Sequence, residues 1–199
     1  MKNQILLSAI AIVAIAFSAF TEKETTSTLG VNSAESKIKW LGKKVTGEHY
    51  GTIEITKGDL EFSNNKLSGG SFEIDMNSIK NMDIENEEYN QKLVGHLKSD
   101  DFFGVAKYPK ASFVIKEVQA KNAGKYHVKG DLTIKETTKS IEFPVEISTI
   151  ESKAVASASI TIDRSEFDVR YGSGSFFDGL GDKMIYDDFT LDVTLVASK

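Results

Sequence analysis

Chemistry in this chain would have to come from its histidines, a run of aspartates or a glycine-serine loop, and none is spaced for it. The three histidines, His49, His96 and His127, form no H-x-x-x-H or H-E-x-x-H pair. With no cysteine present, a zinc site would need carboxylates that no spacing picks out. Asp178, Asp182, Asp187 and Asp188 crowd one segment but lack the D-x-[DN]-x-[DN]-G order of a calcium loop. Gly172, Gly174, Gly179 and Gly181 resemble a phosphate cradle, yet the run Gly172-Ser173-Gly174-Ser175-Phe176-Phe177 ends in phenylalanine where a dinucleotide turn needs glycine or alanine. Gly172-Ser173-Gly174 is no G-x-S-x-G elbow, and no base stands near it in sequence. The expectation is a protein that is not an enzyme, with no catalytic residues, no metal and no cofactor. Sequence-distant groups converging on an esterase-like site are the alternative.

What remains is apolar, and it is laid out with period two. Tyr126, Val128, Gly130, Leu132 and Ile134 alternate with His127, Lys129, Asp131, Thr133 and Lys135, as in a half-buried antiparallel strand. Ile141, Phe143, Val145 and Ile147 repeat the pattern, as do Phe189, Leu191, Val193 and Leu195. Further strands are predicted at 37–45, 50–56, 59–62, 67–77, 111–118 and 154–163, giving about eight or nine in all. Asn64-Asn65 turns the chain between the third and fourth, since Asn tolerates the left-handed conformation. Tyr89, Leu93 and Leu97 recur at helical spacing, Ser99 and the two aspartates after it suit a cap, and Pro109 forbids continuation. The fold class expected is all-β: an antiparallel eight-stranded β-barrel in which one short helical insertion caps an end, closure having removed the exposed edges.

A barrel of this size is either just filled by side chains or holds one small ligand. Ala154, Ala156 and Ala158 on one face of their strand, with Ser157 and Ser159 on the other, supply little volume. They leave space inside, or they admit a helix or aromatic rings at close range. By parity Trp40, Phe72, Ile74, Phe113, Leu132, Phe143 and Phe189 point inward, as the wall of a pore or as plain core. Phe102, Phe103, Phe176 and Phe177 fall in irregular segments, where exposed aromatics are costly unless they cover a mouth or a contact surface; these four are the gate candidates. Arg164 either pairs with a buried carboxylate at the barrel end or meets the polar end of a ligand.

Residues 1–20 carry one charge, Lys2, and then an apolar run of about 16 residues, short of the roughly 20 that span a bilayer. With small residues at Ala14, Ala16 and Ser18, this reads as a secretory signal peptide. Residues 21–35 are polar and are expected as a tether, and 36–199 as one domain. No transmembrane span is expected once the leader is gone. The net charge is −5, and −6 without Lys2 (23 basic against 29 acidic residues), which argues against nucleic acid or an anionic membrane surface as partner. Whether two copies pair as a homodimer stays open.

Three blocks in order carry a resemblance: residues 96–113, HLKSDDFFGVAKYPKASF; Gly130-Asp131-Leu132-Thr133-Ile134-Lys135 followed by Thr138-Lys139; and Asp163-Arg164-Ser165-Glu166-Phe167. Together they resemble the YceI-like family of secreted bacterial proteins. The chain departs at Glu136 and Asp168, where Gly is usual or frequent, and at Ser140, where Pro is usual; all three touch turns. The resemblance implies a lipocalin-like barrel with an elongated apolar pore that binds a polyisoprenoid lipid, a polyprenyl chain or isoprenoid quinone, in the periplasm or after secretion. It transfers no catalytic residue. An enzyme acting on a bound lipid, or a filled barrel serving protein interaction or stress response, are the other readings.

Overall fold

In a computed structural model, which describes residues 24–122, 124–150 and 152–199, the alternating segments become nine strands and one α-helix. They are β1 (Thr26–Val31), β2 (Lys37–Lys44), β3 (Gly47–Ser63), β4 (Lys66–Asn81), α1 (Glu87–Lys98), β5 (Lys110–Ala120), β6 (Lys125–Ile134), β7 (Thr137–Ile150), β8 (Lys153–Asp163) and β9 (Ile185–Ser198). From β2 to β9 each strand pairs antiparallel with the next, and β9 returns to β2, with Trp40 opposite Leu191. The result is a closed eight-stranded up-and-down barrel, as the periodicity predicts. The apolar parity set of each strand points inward.

Two elements differ from the sequence reading. The stretch 21–35 is not simply a tether: β1 lies within it, pairing along the second half of β3 (Leu29 opposite Leu60) and touching the end of β9 (Val31 opposite Ala197). Thus β1 and β2 share one stave, interrupted at residues 32–36. Only Leu29 in this strand is buried, so backbone pairing rather than an apolar stripe creates it. The segments 50–56 and 59–62 are one long strand, β3, bent by register shifts at Thr52/Glu54 and Ile55/Lys57. Gly58 marks no turn there. A Cβ on it would sit 2.7 Å from the Phe72 ring and 2.8 Å from the Ser71 carbonyl, so glycine serves close strand approach. Residues 1–20, the expected leader, lie outside the described residues.

The β3–β4 hairpin turns at Asn64 and Asn65, both left-handed (φ 50° and 61°), as a tight hairpin requires. At this end of the barrel Leu29, Leu60, Phe62 and Leu67 are buried and form a packed floor. At the other end the chain leaves β4 for α1. Asn86 caps the helix by accepting from the Tyr89 N–H at 3.1 Å, Glu87 and Glu88 complement its N-terminus, and the Ser99 hydroxyl donates to the His96 carbonyl at 2.8 Å. Asn90 ties the helix down by donating to the Asn81 and Ile84 carbonyls at 3.2 and 3.0 Å. None of α1's residues is buried, so it rests on the barrel end rather than inside the core. Among the described residues no helix is long and apolar enough to cross a membrane.

Candidate functional site

Between the packed floor and the helix-bearing end the barrel is hollow. A cavity of about 280 Å³ runs inside it, nearly twice the roughly 150 Å³ of an apolar cavity that stays dry and takes up benzene. Trp40, Phe72, Ile74, Phe113, Leu132, Phe143 and Phe189 all line it. The void also explains why inward-facing Ala158, Ile160, Phe189 and Leu191 are only partly buried: their free surface faces empty space. Phe113 is the centre of an aromatic cluster, stacked on Phe72 at 6.4 Å and tilted against Phe143 at 5.4 Å between ring centroids. Its ring lies over Gly130, where a Cβ would come within 2.5 Å of it. The glycine in the middle of an apolar strand face is therefore space for a phenylalanine.

Ala156 and Ala158 border the same cavity, which resolves the alanine strand in favour of space. The wall also includes residues that the sequence reading did not name. Met76 and Ile55 line the void in step with Phe72, Ile74 and Ile53, whereas Ile79 lies beyond a register shift in the β3–β4 ladder, so simple periodicity misplaces that residue. Leu93 and Leu97 of α1 border it as well, whereas Tyr89, on the same helical stripe, projects past the rim and is 62% exposed.

The four aromatics of the irregular segments divide two and two. Phe102 and Phe103 line the cavity, their rings edge to face at 5.2 Å, and Phe102 is buried rather than exposed. Turn hydrogen bonds hold them beneath the helix: Phe102 N–H to Ser99 O at 3.1 Å and Phe103 N–H to Leu97 O at 3.2 Å. Phe176 and Phe177 are exposed and lie outside the cavity wall, with the Arg170 guanidinium 4.9 Å above the Phe176 ring.

Arg164 is the buried charge at this end. It is 3% exposed and donates from Nη1 to Val169 O (2.8 Å), from Nη2 to Ile185 O (3.1 Å) and from Nε to Tyr186 O (3.2 Å). Asp187 Oδ1 stands 3.2 Å from Nη2, a charge contact without hydrogen-bond alignment, since that oxygen counts as unpartnered. Burial pulls the guanidinium below its ordinary value, countered by Asp187 and Asp163. An arginine remains charged all the same. Its plane lies 5.3 Å from the Phe102 centroid, so of the two roles open to it from sequence, this geometry builds the structural one: it pins the turn after β8 to the start of β9, beneath Phe102.

The rest of the rim is more accessible. His49 and Tyr186 border the cavity while retaining exposure, 35% for the His49 side chain and 47% for Tyr186, and this is the mouth. His49 Nδ1 donates to Asp83 Oδ2 at 2.7 Å, while Asp83 Oδ1 accepts from the Tyr50 N–H at 2.8 Å and from Asn81 Nδ2 at 2.5 Å. Burial pushes the Asp83 carboxyl up, but the hydrogen bonds from His49, Tyr50 and Asn81 outweigh it and hold it below the ordinary carboxylate value.

Comparisons with known proteins agree with this architecture. Residues 29–197 match the model of the YceI-like domain. A UPF0312 protein of Shewanella denitrificans is 34% identical over 84 residues, covering 42% of this chain and 41% of that protein, so the chain spans under half of that relative's length. Among solved structures, BcnA of Burkholderia cenocepacia superposes with a TM-score of 0.69 at 25% identity, over 84% of this chain and 99% of its own. A polyisoprenoid binding domain from Saccharophagus degradans superposes at 0.60 with 14% identity, over 85% and 97%; at that identity the likeness is one of fold. The family match covers β2 to β8 in full, the second half of β1 and all but the last residue of β9, and the chain belongs to the YceI-like domain family.

Proposed function

We propose that the protein is a non-catalytic carrier that binds an isoprenoid-type lipid in the barrel interior. The observation that carries this reading is the cavity itself, about 280 Å³ within walls of aliphatic and aromatic side chains. Such a void forfeits packing energy unless something apolar fills it. Each buried methylene contributes about 0.8 kcal/mol, so a five-carbon isoprene unit is worth on the order of 3–4 kcal/mol before ordering costs. Apolar walls suffice for that, and polar side chains gather only at the rim. Membership of the YceI-like family supports the reading, as does the fold shared with a domain described as polyisoprenoid binding.

In this reading the ligand contacts are Trp40, Phe72, Ile74, Phe113, Leu132, Phe143 and Phe189, with Phe102 and Phe103 closing the helix-bearing end. Residues 1–20 act as the leader that delivers the chain to the periplasm or beyond. Native mass spectrometry of protein purified from its own host tests the proposal. A co-purifying hydrophobic mass that organic extraction removes is the expected result. An apo mass across mild ionisation conditions, with no uptake of a prenyl alcohol added afterwards, overturns it.

A further inference from the structure

The inner face of β2 changes character along its length. Ile38, Trp40, Gly42 and Lys44 alternate onto one side, and Ile38, Trp40 and Gly42 all border the cavity. Lys44 therefore stands at the rim end of the cavity-facing row. Its neighbour Lys43 also borders the cavity and pairs with Glu48 at 3.9 Å. On β3 the opposite residues are His49, across from Gly42, and Gly47, across from Lys44. Lys44 and His49 are thus diagonal cross-strand neighbours, within mutual reach of long side chains, and the glycine facing each leaves room between them.

Lys43, Lys44 and Arg164 border the cavity, as do His49 and His96, and among the described residues no aspartate or glutamate does, in a chain whose net charge is −5. The nearby carboxylates are engaged: Asp83 by His49, Glu48 by Lys43, and Asp187 by Arg164 and the Ser175 hydroxyl. Arg164 is engaged in turn by three carbonyls. Lys44, among the described residues, forms no ion pair. Asp83 takes the Nδ1 hydrogen of His49, so Nε2 faces a ligand as an acceptor in the neutral ring and donates to an oxyanion only in the imidazolium form. One layer deeper on the same face, Trp40 Nε1 is buried with no acceptor among the described residues, a donor that a ligand oxygen between tail and head would satisfy.

We infer that the ligand is an anionic amphiphile: an apolar tail in the cavity and a terminal oxyanion, phosphate or carboxylate, received at the mouth by Lys44, with the imidazolium form of His49 beside it. This rests on the lipid-carrier reading and specifies its ligand. It separates such a ligand from a neutral quinone or alcohol, which would leave Lys44 without a partner, and from a cationic amphiphile, which Lys44 repels. By comparison with the roughly 150 Å³ that accommodates benzene, the cavity holds on the order of ten carbons, so the longer farnesyl tail fills it and its remaining carbons carry the head to the rim.

The chain has a single tryptophan, and it lines the cavity, so its emission reports occupancy directly. Delipidated protein is titrated with farnesyl monophosphate, farnesol, farnesylamine and inorganic phosphate at low ionic strength. The expected order is farnesyl monophosphate tighter than farnesol by about tenfold or more, farnesylamine weakest, and inorganic phosphate without effect. Added salt narrows the gap, and Lys44→Gln and His49→Gln each bring the phosphate-to-alcohol ratio toward one. Equal binding of phosphate and alcohol by folded wild type overturns the inference and leaves the carrier reading standing, as does a ratio that Lys44→Gln fails to move. Inorganic phosphate competing as well as the amphiphile overturns it too, because the anion site would then be independent of the cavity. If no farnesyl probe binds, the carrier reading falls and takes this inference with it.

Discussion

Replacing Ala158 by leucine separates a hollow barrel from a filled one, because the two make predictions of opposite sign. Ala158 lies on β8 opposite Val193, faces the cavity and, although it points inward, is only partly buried. A leucine there adds three carbons to a void of about 280 Å³, so it fits without displacing a neighbour. Burying them at about 0.8 kcal/mol each stabilises the unliganded protein by up to about 2.4 kcal/mol gross, less the ordering of the side chain. The same three carbons exclude about as much ligand. The ligand then loses roughly 2.4 kcal/mol, which at about 1.4 kcal/mol per decade is on the order of fifty-fold in affinity. Stability is read by urea unfolding, with ligand absent, and affinity by farnesol titration followed through Trp40. If the interior were already filled, Ala158→Leu would be overpacking and would destabilise by about 1–3 kcal/mol. A loss of stability of that size, or farnesol affinity within twofold of wild type, refutes the reasoning.

Other perturbations follow from the ends of the barrel. Arg164→Met removes the guanidinium that satisfies three carbonyls and faces Asp187; leaving that buried set unpaired costs about 3–5 kcal/mol, read as a fall in the urea midpoint at unchanged m-value. Asp83→Asn tests the mouth network through pH. The Asp83 carboxyl is held below its ordinary value in the folded state, so its contribution is full above the unfolded carboxylate pKa of about 3.9 and is lost as pH falls through the lower folded value. The variant is therefore less stable than wild type at pH 7, and thermal melts of the two converge toward pH 2; a gap that persists in acid contradicts this. Phe176→Ser with Phe177→Ser changes exposed rings outside the cavity wall, so stability stays within about 0.5 kcal/mol and equilibrium affinity for farnesol stays within twofold. A larger loss of affinity would place these rings on the ligand.

The barrel walls were legible in the sequence because a strand with one wet face must alternate, and β6, β7 and β9 do so without interruption. Trp40, Phe113, Leu132, Phe143 and Phe189 are read correctly as inward on that ground alone. The signal fails where backbone geometry rather than side-chain chemistry decides. β1 carries one buried residue and exists because β3 is long enough to pair with two partners end to end. A register shift between β3 and β4 breaks the alternation of β4, and Ile79 reaches the cavity from beyond it. Phe102 and Phe176 show the same limit in loops. Both are phenylalanines in irregular segments with an N–H donated to a serine carbonyl three residues back, but Phe102 alone lies against the Arg164 plane, a contact between residues distant in sequence. Nothing local distinguishes it from Phe176.

A barrel that must stand empty between ligands has to draw its stability from somewhere other than its middle. Here the favourable packing is placed at the ends. Leu29, Leu60, Phe62 and Leu67 close the floor, and Arg164 with its carbonyls, Phe102 and Val105 packs the helix-bearing end beside the mouth. The wall between is held by an unbroken ring of antiparallel ladders, which needs no interior side chain to satisfy its backbone groups. That division explains why small residues are tolerated at Ala156 and Ala158 but a glycine is needed at Gly130. The alanines define the void, whereas the glycine seats Phe113, which in turn orients Phe72 and Phe143. It follows that a change at Gly130 acts on the shape of the cavity rather than its size. Gly130→Ala would force a Cβ to within 2.5 Å of the Phe113 ring and of the Val114 carbonyl, so the ring must turn off its stack or the β5–β6 ladder must open. Loss of the Phe72–Phe113–Phe143 cluster should then be visible as a change in the near-ultraviolet circular dichroism of a protein whose far-ultraviolet spectrum is still that of the barrel.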